Sequence, residues 1–388
     1  MPAGHEDEAP ALRAIPHYDY AGPGVYDGQF YVQRALDPLV RDPGVDRAMD
    51  LAPFRARRIL FSWTAYVAGL GRPAWVVEAY SLQNVVFWLV LAWLLARWFP
   101  PTTPRGLAAW IACLFSHGLL FSVRFALLDG PSLALTVLAV RLAEEGRQFW
   151  SAAIAGVNGL GRETNVLAVF AQPLPRRIRD LARLGAAAIV VALPLLVWQD
   201  YLRSIYRSTL LDGVRGQVGI PGVPMLNRVA RTVAEVHANG LFSASGLAAC
   251  VVLPLLAQAA YLLMRPRPAS PWWRVAVAYV VLMVLLDTVV WSPANGAITR
   301  VMLPMTVGFN VLLIKEEVSR WRFWPWFVAG LFFPLIGVVI ILCLPVKGRK
   351  VQEPTLKPVS SEEIFDRALE LEEPRRIGES EVQFSARA

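Results

Sequence analysis

The chain is poor in charge, in cysteine and in histidine. Only 18% of its 388 residues are Asp, Glu, Lys or Arg, against about 25% in a soluble globular domain. Three residues are Cys and four are His. Cys113, Cys250 and Cys343 all lie in apolar runs, so they read as small buried hydrophobes; neither a disulfide framework nor zinc-type spacing can be drawn from them. No glycine-rich phosphate loop and no internal repeat occurs, and there is no apolar run of the signal-peptide kind before Ile59.

What the chain has instead is apolar length. Hydrophobic residues make up 55%, fourteen residues are Trp, and the mean hydropathy is +0.44. This composition is that of an all-α, polytopic integral membrane protein. The net charge of +8 comes largely from arginines between apolar runs, the pattern of positive cytoplasmic loops, so nucleic acid is not implied. A spanning helix needs about 20 mostly apolar residues. Trp75 to Trp98, Leu184 to Tyr201, Leu241 to Met264, Trp272 to Trp291, Ala297 to Ile314 and Phe323 to Leu344 meet that length or come near it, and Leu107 to Val123 is a shorter candidate. Ile59 to Leu70 reads as an interfacial helix after the basic run "RARR", and Ser132 to Leu142 as a short helix.

Charge orients the spans. "PLPRRIRDLAR", Pro173 to Arg183, is the strongest cytoplasmic signal. The span count closes if Phe149 to Gln172, interrupted by "NGLGRETN", is a re-entrant hairpin with its tip at Gly161, Arg162 and Glu163. Such a tip is tolerated only where it is buried in protein or lines a wet cavity. Residues 1–56 are then extracytoplasmic, 57–345 form the membrane domain, and 346–388 form a polar tail, disordered and outside. An extracytoplasmic "VYDGQFY" with no preceding span leads to the expectation of a first helix upstream of Met1.

Several polar residues stand out. Asp27, in "VYDGQFYVQRALDP", is bracketed by Tyr26, Phe30 and Tyr31 and followed by Gln29. An Asp-Gly pair often only makes a turn, but a carboxylate among aromatic rings also suits a sugar, whose hydroxyl proton it can take. Asp129, before Gly-Pro, reads as a helix N-cap that can also face a cavity mouth. Arg162, Glu163 and Arg300 are ionisable residues in apolar surroundings and hence functional candidates; structural pairing and interfacial snorkelling are the competing readings. Arg300 would clamp a phosphate. Glu78, Gln83, Asn84, His117 and Asp287 read as interhelix hydrogen bonders.

In order and spacing, "VYDGQFYVQRALDP", "PFRARRILFSWTAYVAGLG", "LLDGPSLAL" and "GLGRETNVL" resemble bacterial membrane glycosyltransferases of the GT-C superfamily, over roughly Tyr26 to Asn165. The resemblance implies a GT-C-like helical bundle with short re-entrant helices in the inner (plasma) membrane. It implies inverting transfer of a sugar from a polyprenyl phosphate to a glycan, lipid or protein acceptor at the extracytoplasmic face. Asp27 and Asp129 take the catalytic positions; Tyr26, Gln29, Tyr31, Arg162, Glu163 and Arg300 fall to substrate binding. Some relatives use a divalent metal, and two outer acids are compatible with one, though nothing in the sequence demands it. A non-enzymatic lipid or solute transporter is the alternative, since embedded charges and broken helices suit transporters too; no second matching half is present.

Overall fold

The structure is a computed structural model that describes residues 8–20, 27–175, 177–206, 216–240, 252–292, 297–315, 323–330 and 348–350. It is built almost wholly of helices. The first five are α1 (Pro10–Arg13), α2 (Gly28–Leu36), α3 (Pro43–Arg47), α4 (Ala52–Ala56) and α5 (Leu60–Ala68). Next come α6 (Pro73–Leu95), α7 (Pro104–Leu114), α8 (His117–Arg124), α9 (Asp129–Glu144) and α10 (Gln148–Gly159), then a 3-10 stretch over Glu163–Ala171. The remainder is α11 (Ile178–Tyr206), α12 (Val223–Asn239), α13 (Val252–Met264), α14 (Pro271–Leu285), α15 (Thr288–Trp291), α16 (Ala297–Val301) and α17 (Leu303–Lys315). A two-stranded antiparallel pairing sets the backbone of β1 (Tyr18–Tyr20) beside β2 (Gly348–Lys350).

Among the described residues two helices, α6 and α11, are long and apolar enough to cross a membrane, and the bent pair α7–α8 makes a third if counted as one span. Their exposed faces are greasy. Leu82, Val86, Leu89 and Trp93 on α6 and Ile189, Leu193 and Val197 on α11 point away from the protein, as side chains facing hydrocarbon do. The protein is thus an all-α membrane protein.

Three of the expected apolar segments differ from unbroken helices. Leu107 to Val123 bends by 45° between α7 and α8. The bend frees the Leu114 carbonyl, which accepts from the Trp88 indole at 3.0 Å. Trp272 to Trp291 breaks after α14, where Leu286 turns to extended backbone. The carbonyls of Val284 and Leu285 then accept from Gly222 and Gly219, and Asp287 N donates to Gln217. Asp287 goes on to cap α15 through Thr288 N. At each break a freed backbone carbonyl thus finds a partner in the protein, as irregular backbone at membrane depth requires. Ala297 to Ile314 is interrupted only at Met302, whose N–H still bonds Ile298. Of Leu241 to Met264 and Phe323 to Leu344, residues 241–251 and 331–344 lie outside the described residues, as does almost all of the expected tail.

The segment from Phe149 to Gln172 folds back on itself. α10 and the 3-10 stretch pack on one another, with the turn at Leu160 to Arg162. At the turn, Leu60 N donates to the Leu160 carbonyl. A Cβ on Gly161 would fall 2.6 Å from the Phe61 ring, so only glycine lets the turn tuck against α5. The returning arm is held along α14: Tyr279 Oη donates to the Thr164 carbonyl, and Arg274 donates to the carbonyls of Phe170 and Ala171.

The amino-terminal helices form a cap of their own. Arg34 is wholly buried and donates to Asp37 at 2.9 Å and to Asp46 at 2.5 Å. Tyr206, at the end of α11, donates to the same Asp46 at 2.8 Å. This network ties α2 and α3 to the end of the long helix. The main apolar core lies elsewhere, among α6, α7, α9, α13, α14 and α17.

Candidate functional site

The site begins at the start of α2. Asp27 occupies the capping position, and its carbonyl accepts from Phe30 N at 3.1 Å in the turn that opens α2, but its side chain makes no capping bond. Gly28 is the first helical residue, and a Cβ there would meet the Phe125 carbonyl oxygen at 2.2 Å. The glycine therefore serves close approach of α2 to the end of α8, and that approach sets Asp27 over the interior. Its carboxylate is left for Arg55, at 3.0 Å.

Arg55 is shared. It also makes a two-point pair with Asp50, Nε at 2.9 Å and Nη2 at 2.8 Å, and its guanidinium lies 4.8 Å from the Phe30 ring centre. Arg58, one turn on, donates to Glu163 at 2.9 Å and to the Tyr31 hydroxyl at 3.3 Å. Glu163 thus joins the hairpin turn to the segment before α5. Neighbouring Arg162 closes on Asp129, and Arg300 of α16 reaches the other oxygen of the same carboxylate at 3.1 Å. Asp129 opens α9 as its first residue and is not its cap, a correction to the capping role expected from the sequence. The start of α9 is fixed instead by Ser122, which accepts from Gly130 N at 2.8 Å.

One cluster therefore unites four arginines (Arg55, Arg58, Arg162, Arg300) with four acids (Asp27, Asp50, Asp129, Glu163). The two expected catalytic acids differ in access. The Asp27 side chain is 36% exposed, whereas that of Asp129 is 3% exposed, so only Asp27 is open to a ligand. Burial pushes the Asp27 carboxyl up, but Arg55, Arg300 and Arg58 together hold it below the ordinary carboxylate range. Arg300 is thereby within electrostatic reach of both acids.

The sequence-expected residues fall as follows. Asp27, Tyr31, Asp129, Arg162, Glu163 and Arg300 belong to the cluster. Gln29 lies half-buried in the first turn of α2, and Tyr26 is outside the described residues. Tyr31 is 1% exposed, so its ring is packed away and its hydroxyl serves Arg58. Among the polar residues expected to bond between helices, Gln83 pairs with Thr64 and His117 with Thr299. Arg55 and Arg58 were not expected at the site. The basic run that holds them reads as a membrane-surface flank, yet their three-residue spacing sets both on one side of a single turn. Among the described residues no group of three or more His, Cys, Asp or Glu side chains is placed to hold a metal ion.

Chemically, the arrangement offers exposed carboxylates, Asp27 among them, at the edge of a floor of fixed cations. A hydroxyl can be oriented by the first, and a phosphate held by the second. Compared with known proteins, the chain matches no family model, no curated protein and no solved structure.

Proposed function

We propose that the protein is a multi-pass membrane glycosyltransferase of GT-C type, moving a sugar from a polyprenyl-phosphate donor to an acceptor hydroxyl at the extracytoplasmic face of the inner membrane. The observation that supports this reading is the open Asp27 carboxylate within electrostatic reach of Arg300, in a cluster where every arginine is fixed by an acid. Asp27 receives the acceptor proton as the acceptor oxygen bonds to the anomeric carbon. The bond from that carbon to the phosphate oxygen breaks with inversion, and its electron pair stays on the phosphate.

Charge is conserved within the site. The leaving phosphate gains one negative charge as Asp27 loses one. Arg55 and Arg300, which had faced the Asp27 carboxylate, then face the phosphate. Fixed cations aimed at developing charge need no reorganisation at the moment of reaction, which is the strongest way for a site of this kind to act. The half-exposed Gln29 sits two residues beyond Asp27 and bounds the acceptor side.

The test is reconstitution of the full chain in liposomes with polyprenyl-phosphate sugars and mixed acceptors. Transfer that depends on Asp27 supports the reading. Failure of every such donor with folded protein, combined with movement of a lipid or solute across the bilayer, would replace it with a transporter.

A further inference from the structure

Arg162 and Arg300 both close on Asp129, although that carboxylate is almost sealed from solvent. Beside it lie further hydrogen-bond donors. Ser132 Oγ and Arg162 Nε are enclosed and have no hydrogen-bond partner among the described residues, and Ser132 is only 1% exposed. Both residues line one small cavity, together with Asp129, Asn165 and Arg300. The cavity abuts the first turn of α9, a helix of 16 residues whose positive end favours an anion. Unbonded donors in an enclosed place are costly. Here they lie around the Asp129 carboxylate, the one anion lining the cavity, without reaching it.

We infer that Asp129 is a resident stand-in for a phosphate-class anion. The inference rests on the phosphate-holding role proposed above for Arg300 and extends it to Arg162. The cavity, about 10 Å³, is water-sized as it stands, so a phosphate group enters only as Arg300 swings from Asp129 to it; Ser132 Oγ and Arg162 Nε then supply the remaining hydrogen bonds. Asp129 keeps the positive end of α9 as its counter-charge. The four arginines of the cluster are already matched by four acids, so an entering anion leaves one negative charge in excess. Asp129 therefore keeps phosphate binding weak and lets a phosphate product leave. It is a positioning residue that competes with the ligand for its arginines, and it neither takes a proton from substrate nor binds metal.

The experiment uses the full chain in a neutral detergent, with inorganic phosphate and dodecyl phosphate as separate probes. Binding is read by calorimetry, and stability by thermal unfolding with and without each probe. Asp129→Asn removes the charge and keeps the shape. It is expected to bind phosphate at least tenfold more tightly, the equivalent of one charge-assisted hydrogen bond. Its unfolding temperature is expected to fall without phosphate and to recover with it. Ser132→Ala, a change without charge, is expected to weaken phosphate binding about fivefold or more while the fold stays intact. If dodecyl phosphate alone shows these effects, the anion is a lipid phosphate; if both probes do, it is phosphate as such.

Equal or weaker binding by folded Asp129→Asn would overturn the inference. Should that variant fail to fold, wild-type phosphate affinity in Ser132→Ala would overturn it instead. No sugar enters this experiment, so the two readings fail separately. Tightened phosphate binding in Asp129→Asn without any sugar transfer by the wild type removes the glycosyltransferase and leaves the stand-in. Sugar transfer with phosphate affinity indifferent to Asp129 and Ser132 does the reverse.

Discussion

Arg300 Nη1 donates to Asp129 Oδ2 at 3.1 Å, across 171 residues of chain. The bond fastens α16 to the start of α9 and aims a guanidinium at the place where the proposed leaving phosphate gains charge. Removing a donor so aimed typically lowers turnover by about 10²- to 10³-fold. Arg300→Ala is expected to show that loss in kcat, with KM raised as well because the same guanidinium receives the entering phosphate. Arg300→Lys is expected to recover only part of it, because an ammonium lacks the two-pronged fork. Steady-state kinetics on reconstituted protein decides the matter, and an undiminished kcat in Arg300→Ala would remove the arginine from the mechanism.

Asp27 is the more reachable of the two expected catalytic acids, and Asp27→Asn keeps its shape while taking away the proposed base. Loss of a general base costs about 10²- to 10⁴-fold. That range is the expected drop in sugar transfer, with the variant inserted in membranes at normal levels. Near wild-type transfer would rule out Asp27 as the base.

The pH dependence follows from the arginines around Asp27. Its folded-state pKa is depressed, so its ionised form, and the stability drawn from the Arg55 pair, are fully present above the ordinary Asp value of about 3.9. Both are lost only as pH falls through the lower, folded value. Single-turnover transfer should therefore be flat between pH 7 and 5 as far as Asp27 is concerned. A limb in that interval which vanishes in Asp27→Asn would contradict the assignment.

Arg58 and Glu163 join two distant segments through a 2.9 Å ion pair. Removing one partner of a buried pair leaves a charge unmatched and costs about 3–5 kcal/mol; the partial exposure of Glu163 places this pair toward the lower figure. Arg58→Met and Glu163→Gln should each destabilise the protein. The double variant should be less harmed than the sum, with a coupling of about 1–3 kcal/mol. Additive losses in a double-mutant cycle would show that the two side chains act independently.

A methyl group at position 28 has no room beneath it. Gly28→Ala places carbon 2.2 Å from the Phe125 carbonyl, so α2 must move off α8. Overpacking of this kind costs about 1–3 kcal/mol, and the displaced element carries Asp27. Thermal unfolding should show the cost, and transfer should fall further than the folded fraction explains. Wild-type values in both measurements would mean that the contact yields freely.

The helical, membrane-protein character of the chain can be read from its long uncharged runs, Arg162, Glu163 and Arg300 from the cost of ionisable groups in apolar surroundings, Asp27 from the aromatic residues around it, and Asp129 from the Gly-Pro helix start that follows it. Their meeting is harder to foresee. Arg55 and Arg58 find their acids in Asp27, Asp50 and Glu163, and the last lies 105 residues from its partner. Nothing local distinguishes those two arginines from others that flank membrane segments. The helix breaks at Ser116 and Leu286 were hidden for a related reason. The groups that make them tolerable, the Trp88 indole and the Gly219 and Gly222 amides, come from other elements. Gly28 was legible as a special residue but not as a contact, because its neighbour is the backbone near Phe125.

The bonds that run from Tyr279 and Arg274 of α14 to the returning arm of the hairpin bear on how disturbance travels. Tyr279 holds the arm beside its tip, and Arg274 holds its far end by two backbone carbonyls, those of Phe170 and Ala171. An element clamped at both ends behaves as a strut: it cannot swing, and it passes a shift at one end to the other. The guanidinium of Arg274 and the phosphate-facing Arg162 are thus two ends of one rigid lever. A lipid or a neighbouring protein that pulls on the base of α14 would be felt as a change of alignment at Asp129, with no alteration of any residue in the site.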